Sequence, residues 1–243
     1  MYSRIFKLLY ICFLTSCVTV VESVKESEID PIAAANARVS LGLRYLFNEN
    51  WSKAKENLEI ALSYAPNYYH SLNSIAYYYQ QVEETDLADK YYKKALRQSP
   101  NNGDVLNNYG VFLCELGQYS QAEVLFTRAI EQEKYYRIAD SYENAALCAL
   151  QAEEQEKATY YFERCLDYDP NRLSPMFELS KIDFQMGEID KARDRLVKIH
   201  KKFGYQRKSL QLLIHVEQSA GNAHLADEYI KQLEARYPSS KDY

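Results

Sequence analysis

Small and large apolar residues recur along this chain at a nearly constant spacing. A small residue opens each copy of the pattern, a large apolar residue follows four positions later, and most copies end at a proline or glycine. Residues four apart lie on one face of an α-helix, and proline disfavours helix continuation because it lacks the backbone N–H donor. The pattern therefore predicts one amphipathic helix per copy. The small residues are Ala54, Ala88, Ala122, Ala158, Ala192 and Ala226, and the large ones are Leu58, Tyr92, Phe126, Phe162, Leu196 and Ile230. The breakers are Pro66, Pro100, Pro170, Gly204 and Pro238.

A second helix is predicted upstream of each of these. An apolar residue followed in most copies by a small one, such as Leu41 followed by Gly42, recurs at one position of every copy. Between the two helices, Gly117, Gly187 and Gly221 share one position. Glycine accepts the left-handed conformation that ends many helices. Each copy is therefore predicted to be a helix, a tight turn and a second helix, with small residues at the crossing allowing close approach.

The copies repeat at steps of 34, 34, 36, 34 and 34 residues. This period, with its Gly, Tyr, Ala, Phe, Ala and Pro skeleton, resembles the tetratricopeptide repeat. The resemblance implies an all-α fold, a right-handed superhelix of six helix-turn-helix repeats. The units stack because one unit cannot bury its apolar face alone. An irregular helical bundle is the alternative. The predicted units are 35–68, 69–102, 103–136, 139–172, 173–206 and 207–240.

The first residues of the chain predict an export signal. Arg4 and Lys7 precede a short apolar run, about half as long as a bilayer-spanning helix requires. The sequence from Leu14 to Cys17 resembles the lipobox of bacterial lipoproteins, which implies cleavage before Cys17 and lipidation of Cys17. Ordinary secretion is the alternative. Val18, in place of an aspartate, favours the periplasmic face of the outer membrane by analogy with the enterobacterial sorting rule.

The predicted signal peptide is 1–16, and 17–34 is predicted to be the lipidated cysteine and a flexible tether. The stretch 18–31 lacks helical periodicity and ends in Pro31. Fully extended, it would reach roughly 46 Å at about 3.3 Å per residue. The six-repeat domain, 35–240, is therefore expected to be held at the membrane by this tether.

Composition and charge exclude several other functions. The net charge is −5, and lysines and arginines are scattered, mostly beside acids, so nucleic acid is not an expected partner. The four histidines lack zinc-ligand spacing, and no glycine-rich phosphate loop or nucleophile motif occurs. We therefore expect no catalytic residue, metal, cofactor or small-molecule substrate, and a function in binding proteins.

The first helices are expected to line the concave side of the superhelix, where an extended or helical segment of a partner would bind. Counting positions within each unit assigns six residues of units one to three to this groove. The apolar and aromatic members offer contact area, and the asparagines offer hydrogen bonds to a partner backbone. Asparagines that only solvate the groove are the alternative. The six residues are Leu43, Leu46, Asn73, Tyr77, Asn107 and Val111.

The remaining cysteines fall on adjacent units. Cys114 and Cys148 lie in the first helices of units three and four, which should be neighbours, and an oxidising envelope permits disulfides. We hypothesise that the two form a disulfide; two free thiols are the alternative. Cys165 occupies a crossing position that usually holds alanine, so a small buried free thiol is expected there.

Several stretches resemble a more specific family. They include NARVSLGLRYL near the start of unit one and VLNNYGVFLCELGQY from Val105 to Tyr119. These resemble the type IV pilus biogenesis lipoproteins of the PilF/PilW family, or pilotins, over about 35–172 and more loosely to 240. Cys114 and Cys148 match the family's cysteine pair. The resemblance implies binding to the pilus secretin, an outer-membrane pore, and support of its localisation and multimerisation. A general envelope adaptor for peptidoglycan enzymes or outer-membrane assembly is the alternative.

Overall fold

The computed structural model describes residues 30–238, which form twelve α-helices and no β-strand. No helix between these limits is long and apolar enough to cross a membrane. The helices are α1 Pro31–Phe47, α2 Trp51–Tyr64, α3 Tyr69–Gln81, α4 Thr85–Gln98, α5 Gly103–Glu115, α6 Tyr119–Ile130, α7 Ile138–Gln151, α8 Gln155–Tyr168, α9 Leu173–Gln185, α10 Ile189–Phe203, α11 Arg207–Ser219 and α12 Ala223–Arg236.

The first helix begins earlier than the sequence pattern predicted. The Asp30 side chain accepts a hydrogen bond of 2.9 Å from the backbone N–H of Ile32, and Pro31 is the first helical residue. Proline suits that position because an N–H there would have no partner within the helix. Residues 31–34, assigned to the tether, therefore belong to α1, and Pro31 starts the helix. The predicted signal peptide lies outside the described residues.

Successive helices pair within each unit, and the units then stack. α1 packs on α2 and α3 on α4, and the same pairing continues to α11 on α12. First helices also contact one another, since α3 lies against both α1 and α5, and α5 lies against α7. This arrangement confirms the predicted all-α repeat fold, with the first helices side by side along one face.

Cations on three second helices join neighbouring units through proline carbonyl groups. Lys94 Nζ donates to the carbonyl oxygen of Pro66 at 2.9 Å, and Arg128 Nη2 donates to that of Pro100 at 2.8 Å. Lys202 donates in the same way to that of Pro170. Each proline follows the end of the preceding second helix, where carbonyl groups lack helical partners. One unit thereby satisfies an acceptor at the end of the unit before it.

The helix crossings show the small-to-large packing that the pattern predicted. A Cβ atom added to Gly42 would lie 2.8 Å from Leu58 Cγ, and one added to Gly110 would lie 2.8 Å from Phe126 Cε1. Both distances are shorter than carbon contacts allow, so a side chain at either position would force Leu58 or Phe126 to move. Ala54, which opens α2 in the sequence pattern, is fully buried.

The turns between paired helices use one backbone conformation throughout. The residue two positions after the end of each first helix has a positive φ, which suits glycine and strains other residues. Three units have glycine there and three have glutamate. The φ values are 72° at Gly117, 77° at Gly187, 73° at Gly221, 56° at Glu49, 61° at Glu83 and 61° at Glu153.

Units five and six replace a core aromatic residue with a buried ion pair. Glu217 is 1% exposed, and its carboxylate accepts hydrogen bonds from Arg193 at 2.6 and 3.2 Å. Asp183, also buried, accepts one from Arg195 Nε at 2.6 Å. Units one and two have tyrosine at this position. The C-terminal third is therefore held together partly by charge where the N-terminal units use apolar contact.

Candidate partner-binding groove

A groove crosses the first helices of units one to three. α1, α3 and α5 lie side by side, and the link before α7 closes one end. The lining combines aromatic rings with amide groups, a hydroxyl group and one ion pair. It consists of Leu43, Tyr69, His70, Asn73, Ser74, Tyr77, Asp104, Asn108, Tyr136 and Arg137.

Three of the residues predicted to bind a partner lie together in this groove. Leu43 comes from α1, and Asn73 and Tyr77 come from successive turns of α3. Tyr77 is 40% exposed, whereas the Asn73 side chain is buried and its Oδ1 has no hydrogen-bond partner among the described residues. A half-turn of the amide exchanges oxygen and nitrogen. Whichever amide atom occupies the buried position is closed to a partner, so Asn73 can reach a partner backbone only through the other one.

Two other predicted residues are unavailable to a partner. Leu46 is buried in the core. Asn107 is 2% exposed, and its Oδ1 accepts hydrogen bonds from Ser141 Oγ at 2.9 Å and Asn144 Nδ2 at 3.0 Å. The prediction that these two contact a partner is corrected, because neighbouring helices cover part of the helix face that the position count identified. Val111 is half-buried against the core and does not line the groove.

The link between α6 and α7 supplies a groove residue that the sequence analysis missed. The ring of Tyr135 packs on Gly103, where an added Cβ would lie 2.3 Å from the ring. With Tyr135 fixed in this way, the next residue, Tyr136, is 87% exposed and lines the groove. The 36-residue step marks this link in the sequence. It does not reveal which of the two tyrosines points outward.

Charged residues form a chain of ion pairs at the end of the groove that the link before α7 closes. Arg137 lies 3.1 Å from Asp104 and 2.6 Å from Asp140, which also contacts Arg172. Burial alone would raise the pKa of Asp140, but hydrogen bonds from Arg172 and Arg137 hold that pKa below its ordinary value. Burial lowers the pKa of His70, which keeps its imidazole neutral at pH 7. A partner therefore meets neutral aromatic and amide groups beside charges that are already paired.

Along the chain, cysteines lie on both sides of the link between α6 and α7. Cys114 on α5 and Cys148 on α7 form a disulfide, with Cα atoms 5.8 Å apart. Cys165 is fully buried and has a free thiol, and burial raises its pKa to about 11. A buried, protonated thiol is unreactive. Cys17, the predicted lipidation site, lies outside the described residues.

Comparison with known sequences gives two kinds of match. Tetratricopeptide-repeat family models match residues 69–102, 91–124 and 113–172. The chain is 32% identical to the type IV pilus assembly protein PilF of Pseudomonas aeruginosa over 210 residues, covering 86% of this chain and 83% of PilF. It is 37% identical to a Haemophilus influenzae protein without an assigned function over 146 residues, covering 60% of this chain and 82% of that protein.

Two solved structures share the fold over most of their length. The structure of Pseudomonas aeruginosa PilF matches with a TM-score of 0.74 at 31% identity, covering 86% of this chain and 95% of that one. The structure of PilW, described as a widely conserved type IV pilus biogenesis factor, matches with a TM-score of 0.75 at 25% identity, covering 85% and 95%. The similarity therefore includes the groove-forming units and the C-terminal third.

Proposed function

Because this chain belongs to the family of type IV pilus tetratricopeptide-repeat proteins that includes PilF, we propose that it is a pilotin lipoprotein of the outer membrane. In this role it binds the secretin subunit of the type IV pilus and promotes secretin localisation and multimerisation in the outer membrane. Its function is binding, and pilus assembly depends on it.

The groove of units one to three is the observation that carries this proposal. An extended secretin segment lies across α1, α3 and α5, with its apolar side chains against Leu43 and Tyr77. Asn73 lies at the floor of the groove and hydrogen-bonds the segment's backbone through the amide atom opposite its buried Oδ1. Tyr136 packs against the segment from the link side, where its exposed ring offers a large, rigid contact.

The proposed lipid on Cys17 keeps the groove at the periplasmic face of the outer membrane. A partner bound to a tethered protein is confined near the point of attachment, so its local concentration there rises. Multimerisation depends steeply on subunit concentration, so the anchor favours assembly at the membrane. The groove and the anchor therefore make separate contributions, binding and placement.

The test is secretin assembly in cells that lack this protein. Denaturant-resistant secretin multimers would be measured in outer-membrane fractions after complementation with wild type, Cys17→Ser, or the groove variant Tyr77→Ala/Tyr136→Ala. A matched control is Tyr160→Ala, which removes a tyrosine 55% exposed on α8, away from the groove. We expect the groove variant to lose most multimers, Cys17→Ser to misplace them, and Tyr160→Ala to behave as wild type.

Each alternative predicts a different pattern. Normal multimers in the outer membrane without this protein would contradict the pilotin function and favour the general envelope adaptor. Equal loss with the groove variant and with Tyr160→Ala would mean that the groove is not the binding site. In that case the anchor and the family assignment would still stand.

A further inference from the structure

One segment departs from the charge pattern of the rest of the chain. From Arg195 to Val216 there are six lysines and arginines and no aspartate or glutamate, although the whole chain has a net charge of −5. The segment covers the second half of α10, the link after it and most of α11. The expectation of scattered cations is wrong here.

Four of these cations lack an acidic partner. Lys198, Lys201, Arg207 and Lys208 are exposed, and none forms an ion pair with another residue between 30 and 238. Arg195, by contrast, pairs with buried Asp183 at 2.6 Å. The four cations without an ion pair within residues 30–238, Lys198, Lys201, Arg207 and Lys208, are called the basic edge below.

The placement of the basic edge fits a flat surface better than a bound segment. Lys198 and Lys201 lie in the last turns of α10, while Arg207 and Lys208 lie in the first turn of α11 and line a hollow between units five and six. A segment bound in that hollow would contact only Arg207 and Lys208. All four lie near the link 204–206 between α10 and α11, so a surface placed over that link can reach all four.

This edge is also the one from which the N-terminal chain departs. Second helices end, and first helices begin, along one edge of the stack, so α1 begins at Asp30 on the same edge as the basic cluster. The chain from Cys17 leads to that point. The proposed anchor at Cys17 is therefore joined to the fold at the edge that also holds these cations.

We propose that the basic edge docks on an anionic lipid surface, as a second membrane contact in addition to the N-terminal anchor. The proposal rests on the membrane anchoring in the proposed function. Lysine and arginine are attracted to anionic headgroups over about one Debye length. Because the tether confines the protein near the membrane, weak attraction at four sites is sufficient for docking. The contact orients the superhelix with one edge on the bilayer.

The experiment is lysine labelling of the full-length lipoprotein reconstituted in vesicles. One set contains phosphatidylethanolamine with phosphatidylglycerol, and the other contains phosphatidylethanolamine with phosphatidylcholine. After treatment with an acetylating reagent, mass spectrometry measures each lysine. We expect Lys198, Lys201 and Lys208 to lose labelling on the anionic vesicles alone, and about 1 M salt to restore it because the Debye length falls to about 3 Å. Lys191, exposed at the other end of α10, is the internal control and stays equally labelled.

A charge-reversal variant separates docking from local shielding. In Lys201→Glu/Lys208→Glu, both changes are at exposed positions, so the fold is retained. We expect Lys198 to regain labelling on anionic vesicles in this variant. Equal labelling on both vesicle types, or protection that salt does not remove, would overturn the proposal. So would protection that requires added secretin, which would assign the edge to an acidic protein segment. Since no secretin is needed, failure of secretin assembly in cells would leave these results unchanged.

Discussion

At the scale of single residues, Glu153 adopts a backbone conformation that favours glycine. Its φ is 61°, and its side chain is exposed. A side chain in the left-handed region costs about 1 kcal/mol, and this cost exceeds the entropy that glycine adds to the unfolded chain. We expect Glu153→Gly to raise the free energy of unfolding by about 0.5 kcal/mol. Urea denaturation followed by circular dichroism measures the change.

The control for this prediction is Glu156→Gly. Glu156 lies exposed in the first turn of α8, where backbone φ is negative and glycine weakens the helix by up to about 1 kcal/mol. The two substitutions remove the same side chain three residues apart. If both substitutions lowered the free energy of unfolding, the backbone strain assigned to Glu153 would be refuted.

Another single residue, His200, gives the protein a pH dependence unrelated to the groove. Its ring lies 4.7 Å from that of Tyr205, and its Nε2 lies 2.9 Å from Ser209 Oγ. Burial lowers its pKa to about 4. The pKa of histidine in the unfolded chain is about 6.5. The neutral ring therefore makes its whole contribution to the free energy of unfolding above that pH, and this contribution is lost as the pH falls toward 4. We expect the free energy of unfolding to fall by about 1–2 kcal/mol between pH 7 and pH 4, a figure already reduced because the ring is partly exposed.

Chemical denaturation at pH 7 and at pH 4 measures this loss. His200→Gln, which cannot take up a proton, should show a smaller difference between the two pH values than wild type. His224→Gln serves as the control, because His224 is exposed. An unchanged pH dependence in His200→Gln would refute the assignment to this ring.

At the scale of helices, a disulfide joins α5 to α7 in addition to their packing contacts. Its cysteines are 34 residues apart. Closing a loop of this length lowers the entropy of the unfolded chain by an amount that corresponds to about 3–4 kcal/mol. We expect Cys114→Ala/Cys148→Ala to lose stability of this order in urea denaturation.

Thiol counting checks the pairing itself. Under denaturing, non-reducing conditions, a thiol reagent should label the described chain only at Cys165, which is the free cysteine of that part. Labelled peptides are identified by mass spectrometry. Label at Cys114 and Cys148 in protein from the oxidising envelope would show that the two are not joined.

The sequence predicts the helices of each unit better than it predicts the contacts between units. The spacing of Ala54 and Leu58 follows from packing within one unit, so periodicity alone locates it. Burial of Asn107 depends on side chains 34 and 37 residues later, and no local pattern contains that information. The pattern places the start of α1 too late because proline ends helices in most units, whereas Pro31 starts one. Tyr136 was missed because the link has no counterpart in the other units.

At the scale of the whole molecule, most of the core of the N-terminal units belongs to one cluster, whereas the core of the C-terminal units is divided among several. The main cluster extends from Ala35 to Cys148, with a small cluster of Leu72, Ala95 and Val105 beside it, and smaller clusters hold the later units together within residues 30–238. Buried ion pairs such as that of Glu217 with Arg193 replace aromatic contacts there. The free-energy cost of removing these charges from water offsets much of the attraction between them.

We therefore expect backbone amides of α9 to α12 to exchange hydrogen faster than those of α3 to α6. Local opening has a lower free energy where fewer apolar contacts must break. Hydrogen exchange followed by mass spectrometry measures this difference, and Arg193→Ala should increase it by leaving Glu217 buried without its partner. Uniform protection along α3 to α12 would contradict the division of the core.

Recombination between similar units can add or delete a whole repeat, and most joints in such an array would tolerate the change. The joint between units three and four would not. A unit inserted between Cys114 and Cys148 would separate two cysteines that now lie on adjacent helices, and a deletion would remove one of them. The ring of Tyr135 on Gly103 fixes the same joint from the other side. The disulfide is therefore compatible with a change in repeat number only outside the joint between units three and four.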